Sequence, residues 1–332
     1  MKNLKGYIVE RLKLSAKSNN IKYTPENAKE LKSCIEKEIN EQYKEGYGYS
    51  KDMPIDLNCI DVSNITKLNF LFDQSIGIRL NNGTYIDISY WDVSNVVELC
   101  YTFKGCNKGR NIHFGDISNW NVENVTAMKG TFYNCYLGDN DLSNWNVSSC
   151  KSFRSMFANA DLTNTDLSNW DVSNAEDMWG MFSYAKNFNM DISNWNVGKV
   201  TDMSTMFYDC ENFDIDLGKW NTKKLKNAES LFAGCTSFTG KGLEKWKTDN
   251  LTDTTFMFFE CENFDADLGN WNMSKVTNIS HMFHECKKFK ADNLDNWNMD
   301  FNTTAMNCAF DDCPKAKLPE WYIKWLKAID KY

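Results

Sequence analysis

Twelve cysteines, three histidines and a recurring column of aspartates are the residues of this 332-residue sequence that could do chemistry. Thiols with imidazoles offer a metal site or a nucleophile and its base, and regularly spaced carboxylates offer oxygen ligands for Ca²⁺. Position decides against most of this. Cys106, Cys135, Cys210, Cys235, Cys261, Cys286 and Cys313 each stand three residues after a recurring phenylalanine, and Ala160 and Ala185 take the same slot in two units. Cysteine and alanine exchange where a small buried side chain is wanted, because a free thiol packs as a small hydrophobe. There is no C-x-x-C pair to suggest zinc. Stacked thiols about 5 Å apart would be within disulfide reach. The segment Met1 to Arg11 carries no apolar signal region, however, so a reducing, cytoplasmic setting and a column of free thiols are expected.

Of the three histidines, His281 and His284 fall within His281-Met282-Phe283-His284-Glu285-Cys286, where Met282, Phe283 and Cys286 occupy core positions. The imidazoles are therefore expected on the solvent side or at a junction, not in a catalytic centre. No G-x-S-x-G elbow, G-x-G-x-x-G turn or phosphate-binding P-loop occurs, so no enzyme, cofactor or metal centre is expected. Asp87, Asp116, Asp141, Asp166, Asp191, Asp216 and Asp267 recur four residues before a tryptophan. Without glycine-rich nonapeptides, they read as turn formers that satisfy backbone N–H groups, with calcium the weaker alternative. Asn119, Asn144, Asn169, Asn194, Asn270 and Asn296 directly precede the tryptophan. Their pattern leaves open an amide ladder or a binding surface.

The element that positions all of these is a repeat. Tryptophans stand at 91, 120, 145, 170, 195, 220, 246, 271 and 297. Phe103, Phe132, Phe157, Phe182, Phe207, Phe232, Phe258 and Phe283 follow twelve residues on, and Phe310 thirteen on. An earlier unit, from Asp56 to Phe72, has Ile60 in the tryptophan slot, which makes ten units of about 25 residues. Leu142, Trp145, Val147 and Cys150 give the frame L-x-x-W-x-V-x-x-C, the apolar skeleton of a leucine-rich repeat. Alternation at Trp-x-Val predicts a short strand, and the three-and-four spacing over Val200 to Phe207, with Thr201 as N-cap, predicts a helical turn. Neither half can bury its own aromatics, so neighbours must stack.

The fold expected is an α/β leucine-rich-repeat-like solenoid of strand-plus-helical-turn units, on the order of 50 Å long at about 4.8 Å per coil. Residues 1–55 form an N-terminal helical cap, 56–313 the repeats and 314–332 a C-terminal capping helix. Thr24 as N-cap with Pro25 at the first position should open the first cap helix, and Pro319 the second. Residues 73–87 are expected as a surface turn or loop inserted between the first repeats.

The units D-[LI]-S-N-W-[ND]-V-x-x-V-x-x-M-x-x-M-F-x-x-C resemble the 26-residue BspA-like bacterial surface-protein repeat, a domain of unknown function in mycoplasma, Listeria and gut-bacterial proteins. Clear copies are Asp191 to Val197 with Met203, Met206, Phe207 and Cys210, and Asp166 to Val172 with Met178, Met181 and Phe182. The leading segment, Lys22 to Ile65, is similar to that of such proteins from gut bacteria and their phages. The resemblance implies a leucine-rich-repeat-like scaffold used in attachment or protein interaction, with no catalytic set.

The charge balance, 37 basic against 45 acidic residues for a net −8, argues against nucleic acid as partner, and no apolar run is long enough to cross a bilayer. A partner would meet strand positions that cannot join the core. Between Trp and Val these are Asp92, Asn121, Asn146, Asp171, Asn196, Asn221, Lys247, Asn272 and Asn298. The expectation is a monomeric, non-enzymatic scaffold for an unidentified protein. The alternative is an adhesin at the cell surface or on a virion that recognises a protein or glycan.

Overall fold

The computed structural model describes residues 20–106, 112–138, 140–301 and 304–329. The leader Met1 to Arg11 and the last three residues of the C-terminal cap lie outside the described residues. Helix α1, Ala28–Lys44, packs at one end and helix α2, Glu320–Ile329, at the other. Between them runs a stack of coils tied by single parallel bridges, Lys67 to Glu98, Ala127, Ser152, Asp177, Asp202, Asn227, Asp253, Asn278 and Ala305 in succession. A two-residue parallel pair, β1 (Ile55–Asp56) with β2 (Ile86–Asp87), extends the register at the first repeat connection.

The coil-to-coil bonding does not lie where the Trp-x-Val alternation predicts a strand. It lies in the second half of each unit. Met203, Thr205, Phe207 and Asp209 donate their N–H groups to Asn227, Glu229, Leu231 and Ala233 of the next coil at 2.7–3.1 Å. The intervening Met206, Tyr208 and Cys210 donate instead to the carbonyl three residues back at 3.0–3.1 Å. Half of the donors thus join coils while the other half close tandem turns, so every second backbone group is paired by a neighbour. The expected helical turn with Thr201 as its cap is replaced by these turns.

What allows the pattern is left-handed backbone at two fixed slots, two residues before and two after the repeat phenylalanine. Thr205 and Asp209 have φ of 54° and 58°, and the equivalent pairs recur, as at Ser155 with Asn159 and Phe256 with Glu260. A right-handed helix cannot contain such residues. In the Trp-x-Val half, Trp195 N–H closes a turn on Ile192 and Val200 N–H another on Val197, at 3.0 and 2.9 Å. Turns in both halves leave no strand there. The two 26-residue units absorb their extra residue as 3₁₀ turns, η1 (Leu243–Lys245) and η2 (Leu294–Asn296), just before the tryptophan. Gly242 opens η1 at φ 86°, and a Cβ there would stand 2.1 Å from the backbone nitrogen of Gly218.

The core is a set of columns. The repeat phenylalanines stack along the axis at centroid separations of 5.3–6.0 Å, from Phe72–Phe103 to Phe283–Phe310. Tryptophans run beside them, for example Trp246–Trp271 at 6.3 Å and 3°. Each indole N–H donates to the carbonyl of the leucine or isoleucine three before the previous coil's tryptophan slot, such as Trp195 to Leu167 at 3.0 Å and Trp220 to Ile192 at 3.1 Å. That carbonyl also accepts the main-chain N–H of its own coil, as Trp170 to Leu167 at 3.0 Å, so the indole adds a second bond, between coils, that also satisfies its own buried N–H and that a leucine could not make.

The ends copy the middle. In α2, Trp321 continues the tryptophan column, stacked on Trp297 at 6.0 Å and bonded to Leu294 O at 3.0 Å. α1 buries Leu31, Ile35 and Ile39. Its N-cap is Asn27 and not Thr24: Asn27 Oδ1 accepts from Lys29 and Glu30 N–H, while Glu30 reaches back to the N–H of Glu26. Pro25 therefore lies outside the helix. The inserted segment 73–87 is also more than a surface loop. Gln74 is buried and ties it down through Phe72 O and Leu80 N–H, and Ile78 and Leu80 enter the core.

Candidate functional site

The residues between Trp and Val lie at the surface: Asp92, Asn121, Asn146, Asp171, Asn196, Asn221, Lys247 and Asn298 are exposed, and Asn272 is half-buried. Most also have a structural task. Asp92, Asn121, Asn146, Asp171, Asn196, Asn221 and Asn272 each accept, through Oδ1, the N–H two residues on. Asn298 Oδ1 accepts from Met273 N–H, and Lys247 N–H donates to Thr222 Oγ1. This edge is thus a line of side-chain-capped turns whose outward groups are partly used up.

The aspartate column four before Trp does the same. Asp87, Asp116, Asp141, Asp166, Asp191, Asp216 and Asp267 all accept the N–H two residues on, at 2.8–3.0 Å. The Ser143 and Ser193 N–H groups hold the Asp141 and Asp191 carboxyls below the usual carboxylate range. For Asp171 the Ser173 hydroxyl is the larger cause. The asparagines directly before Trp are exposed, and Asn194 Oδ1 accepts from Lys219 Nζ of the next coil at 2.8 Å.

The thiol column is chemically quiet. Cys210, Cys235, Cys261 and Cys286 donate Sγ–H to Phe182, Phe207, Phe232 and Phe258 O at 2.9–3.1 Å. Burial pushes the thiols up, Cys313 to about 11 and Cys235 and Cys286 well above the ordinary range. A thiol that resists ionisation is a poor nucleophile and a poor metal ligand. All twelve cysteines are free.

One face was not legible as a site in the sequence. It carries the bridge residues and the turns around the repeat phenylalanine, and it collects aromatics outside the core columns. Phe70, Tyr133, Trp179 and Tyr184 are exposed, Tyr184 by half. Along it Phe70 stacks on Tyr101 at 5.2 Å, Tyr184 meets Tyr208 edge-on at 5.1 Å, and Phe256 stacks on His281 at 4.6 Å. His284 lies edge-on to Phe259 at 5.1 Å and 5.7 Å from His281. Both histidines are half-buried, with Nδ1 of each buried and without a hydrogen bond. Ligating atoms of His284, Glu285 and Asp312 lie within 4.8 Å of one another, the one such grouping among the described residues. The third histidine, His113, stacks on Tyr85 at 4.3 Å and lines a cleft of about 540 Å³ with Asp87, Asp116 and Tyr136. The signal for the turn face lay in aromatics two or three before, or one and two after, the repeat phenylalanine. They were invisible as a column because their types vary.

No curated protein and no solved structure matches the chain. No helix among the described residues is long and apolar enough to cross a membrane. A family described as "Mycoplasma protein of unknown function, DUF285" matches three overlapping stretches, residues 42–168, 137–242 and 210–321. Those stretches overlap across consecutive coils and together span most of the sequence, so the chain belongs to the DUF285 repeat family.

Proposed function

We propose that this chain is a non-enzymatic, leucine-rich-repeat-like solenoid scaffold that binds a protein partner along its length. The observation that carries the reading is the turn face. It runs over successive coils on a backbone whose alternate N–H groups are tied to the next coil, and it exposes aromatics that the core does not use. Exposed aromatics on a rigid platform are what interface hot spots are made of. A stack in which each unit contacts only its neighbours offers such a platform over many residues.

The state of the reactive groups supports the non-enzymatic part. Buried thiols are held protonated, His281 is stacked on a ring, and the aspartate columns hold turns closed. The cytoplasmic placement is a proposal as well. It fits the twelve unpaired cysteines, since oxidising compartments favour disulfides.

Affinity capture with two variant sets tests the reading. One set, Trp179→Ser with Tyr184→Ser and Tyr133→Ser, strips the turn face; the other, Asn144→Arg with Asn169→Arg and Asn194→Arg, obstructs the Trp-side edge without touching a turn cap. A protein retained by wild type and lost with the turn-face set, at unchanged Tm, is the expected result. Loss only with the edge set moves the site to the Trp-x-Val side. No specific capture by any form contradicts the scaffold role.

A further inference from the structure

On the turn face, charge pairing changes along the stack. In its first half Lys67 meets Glu98 at 2.6 Å and Arg154 meets Asp177 at 2.9 Å, each one coil away. The columns beside this face keep such pairs further on, as in Lys241 with Asp214 at 2.9 Å and Lys290 with Asp265. On the face itself, among the described residues, Glu229, Asp253, Glu260 and Glu285 have no cation within 4.0 Å. Glu229 is exposed, with Asp202 and Asp253 close enough that their charges, after burial, raise its pKa.

The protein shows what fills such a place. The Arg154 guanidinium lies 5.0 Å from the Trp179 ring, with Nε 2.9 Å from Asp177 and Nη2 3.9 Å from Asp202. In later coils the slot of Arg154 holds Trp179, Ser204, Glu229 and Thr255, so that slot supplies no cation; Lys186 reaches Asp209 at 3.6 Å from a neighbouring column, and Lys287 lies close enough to Glu260 and Glu285 to feel their charges. Acid and ring persist nonetheless: Phe256 with Phe259 forms an edge-on pair at 5.5 Å, and Glu260 follows next in sequence. Carboxylates interleaved with aromatic rings favour guanidinium and ammonium groups by ion pairing and cation–π attraction together.

We infer that the turn face between Asp202 and Glu285 binds an extended basic segment of a protein partner, seating its Arg or Lys side chains over Tyr208, Phe256 and Phe259 and against Glu229, Asp253 and Glu260. This rests on the scaffold reading and names its partner's chemistry. Charge complementarity selects the occupant: a neutral glycan would use the rings but would leave the like-charged carboxylates unrelieved.

The test uses the full chain and a fluorescein-labelled nonapeptide alternating Arg and Ser, read by anisotropy at 50 and 300 mM NaCl. Glu229→Gln with Glu260→Gln and Glu285→Gln is compared with Glu123→Gln, Glu176→Gln and Glu244→Gln, which removes equal charge elsewhere. Expected are at least a tenfold weaker Kd for the first triple, less than a twofold change for the second, and strong weakening by salt. Equal weakening by both triples, no peptide binding by wild type at 50 mM, or binding of neutral glycans in its place would overturn the inference. A captured partner that the peptide does not displace and the first triple does not release would overturn it while leaving the scaffold standing. Failure of all capture would remove both.

Discussion

Trp195 tests the packing on which every surface argument depends. Its side chain is 2 % exposed, its indole N–H donates to Leu167 O at 3.0 Å, and its ring lies 6.0 Å from that of Phe182. Trp195→Ala leaves a cavity in a column that has no other way to close, for a loss of about 3–5 kcal/mol. Trp195→Phe keeps an aromatic ring but deletes the donor. The hydrogen bond contributes about 1 kcal/mol, and a volume deficit of roughly 40 Å³ at about 24 cal/mol per Å³ adds about 1 kcal/mol more. At roughly 2 °C per kcal/mol for a chain of this size, the alanine variant should melt roughly 6–10 °C below wild type and the phenylalanine variant roughly 4 °C below. Circular dichroism and urea unfolding followed by a second probe should give coincident transitions before either figure is used. An alanine variant that melts with wild type refutes the inward column. A phenylalanine variant that does so refutes the indole-to-carbonyl bond as a stabilising contact.

Other outcomes follow from the same geometry. A thiol reagent added to native protein should label Cys34, Cys59, Cys100 and Cys308, which are half-buried, and should reach Cys210, Cys235, Cys261 and Cys286 only after unfolding; mass spectrometry that finds coil-to-coil disulfides in fresh material contradicts this. Asp141, Asp171 and Asp191 are depressed in the folded state, so their stabilisation is present above the unfolded value of about 3.9 and is lost as pH falls through the lower folded values. Tm should hold between about pH 5 and 7 and fall below about 4, and Asn at all three positions should flatten the fall. The buried thiols act in the opposite direction: raised when folded, they contribute stability below about 8.5 that is lost as pH rises, and Cys235→Ala should lessen the alkaline decline. Trp321→Ala in α2 should speed hydrogen exchange in the coil from Trp297 to Cys313 and leave the coils before Trp246 unchanged, since a repeat feels only its neighbour.

The columns were legible because burial constrains residue type at every repeat. Trp, Phe and Cys recur at fixed offsets, and the structure stacks them as their spacing requires. The turn-forming role of the aspartates was legible for a similar reason, as an acceptor two residues before a free N–H needs a short acid or amide. What the pattern hid was backbone conformation. The left-handed slots hold Phe70, Thr205, Asn159, Tyr184 and Glu260 as well as Gly180 and Gly234, so no glycine signature marks them, and the three-and-four spacing of Val200, Met203, Met206 and Phe207 suits a tandem-turn coil as well as a helix. Thr24 and Asn27 are both competent cap types, and the local choice falls on Asn27 because Glu30, three residues on, bonds back to the N–H of Glu26 and the side chain of Asn27. The turn face escaped notice because Trp179, Tyr184 and Phe256 occupy different offsets from the repeat phenylalanine, and a column becomes a surface only once neighbouring coils are aligned.

Radical footprinting of the chain with and without its captured partner tests the binding claim most directly. The account expects protection at Trp179, Tyr184 and Tyr208 on the turn face, with the edge around Asn146, Asp171 and Asn196 unchanged. Protection confined to that edge, or to the helices at the two ends, would contradict it.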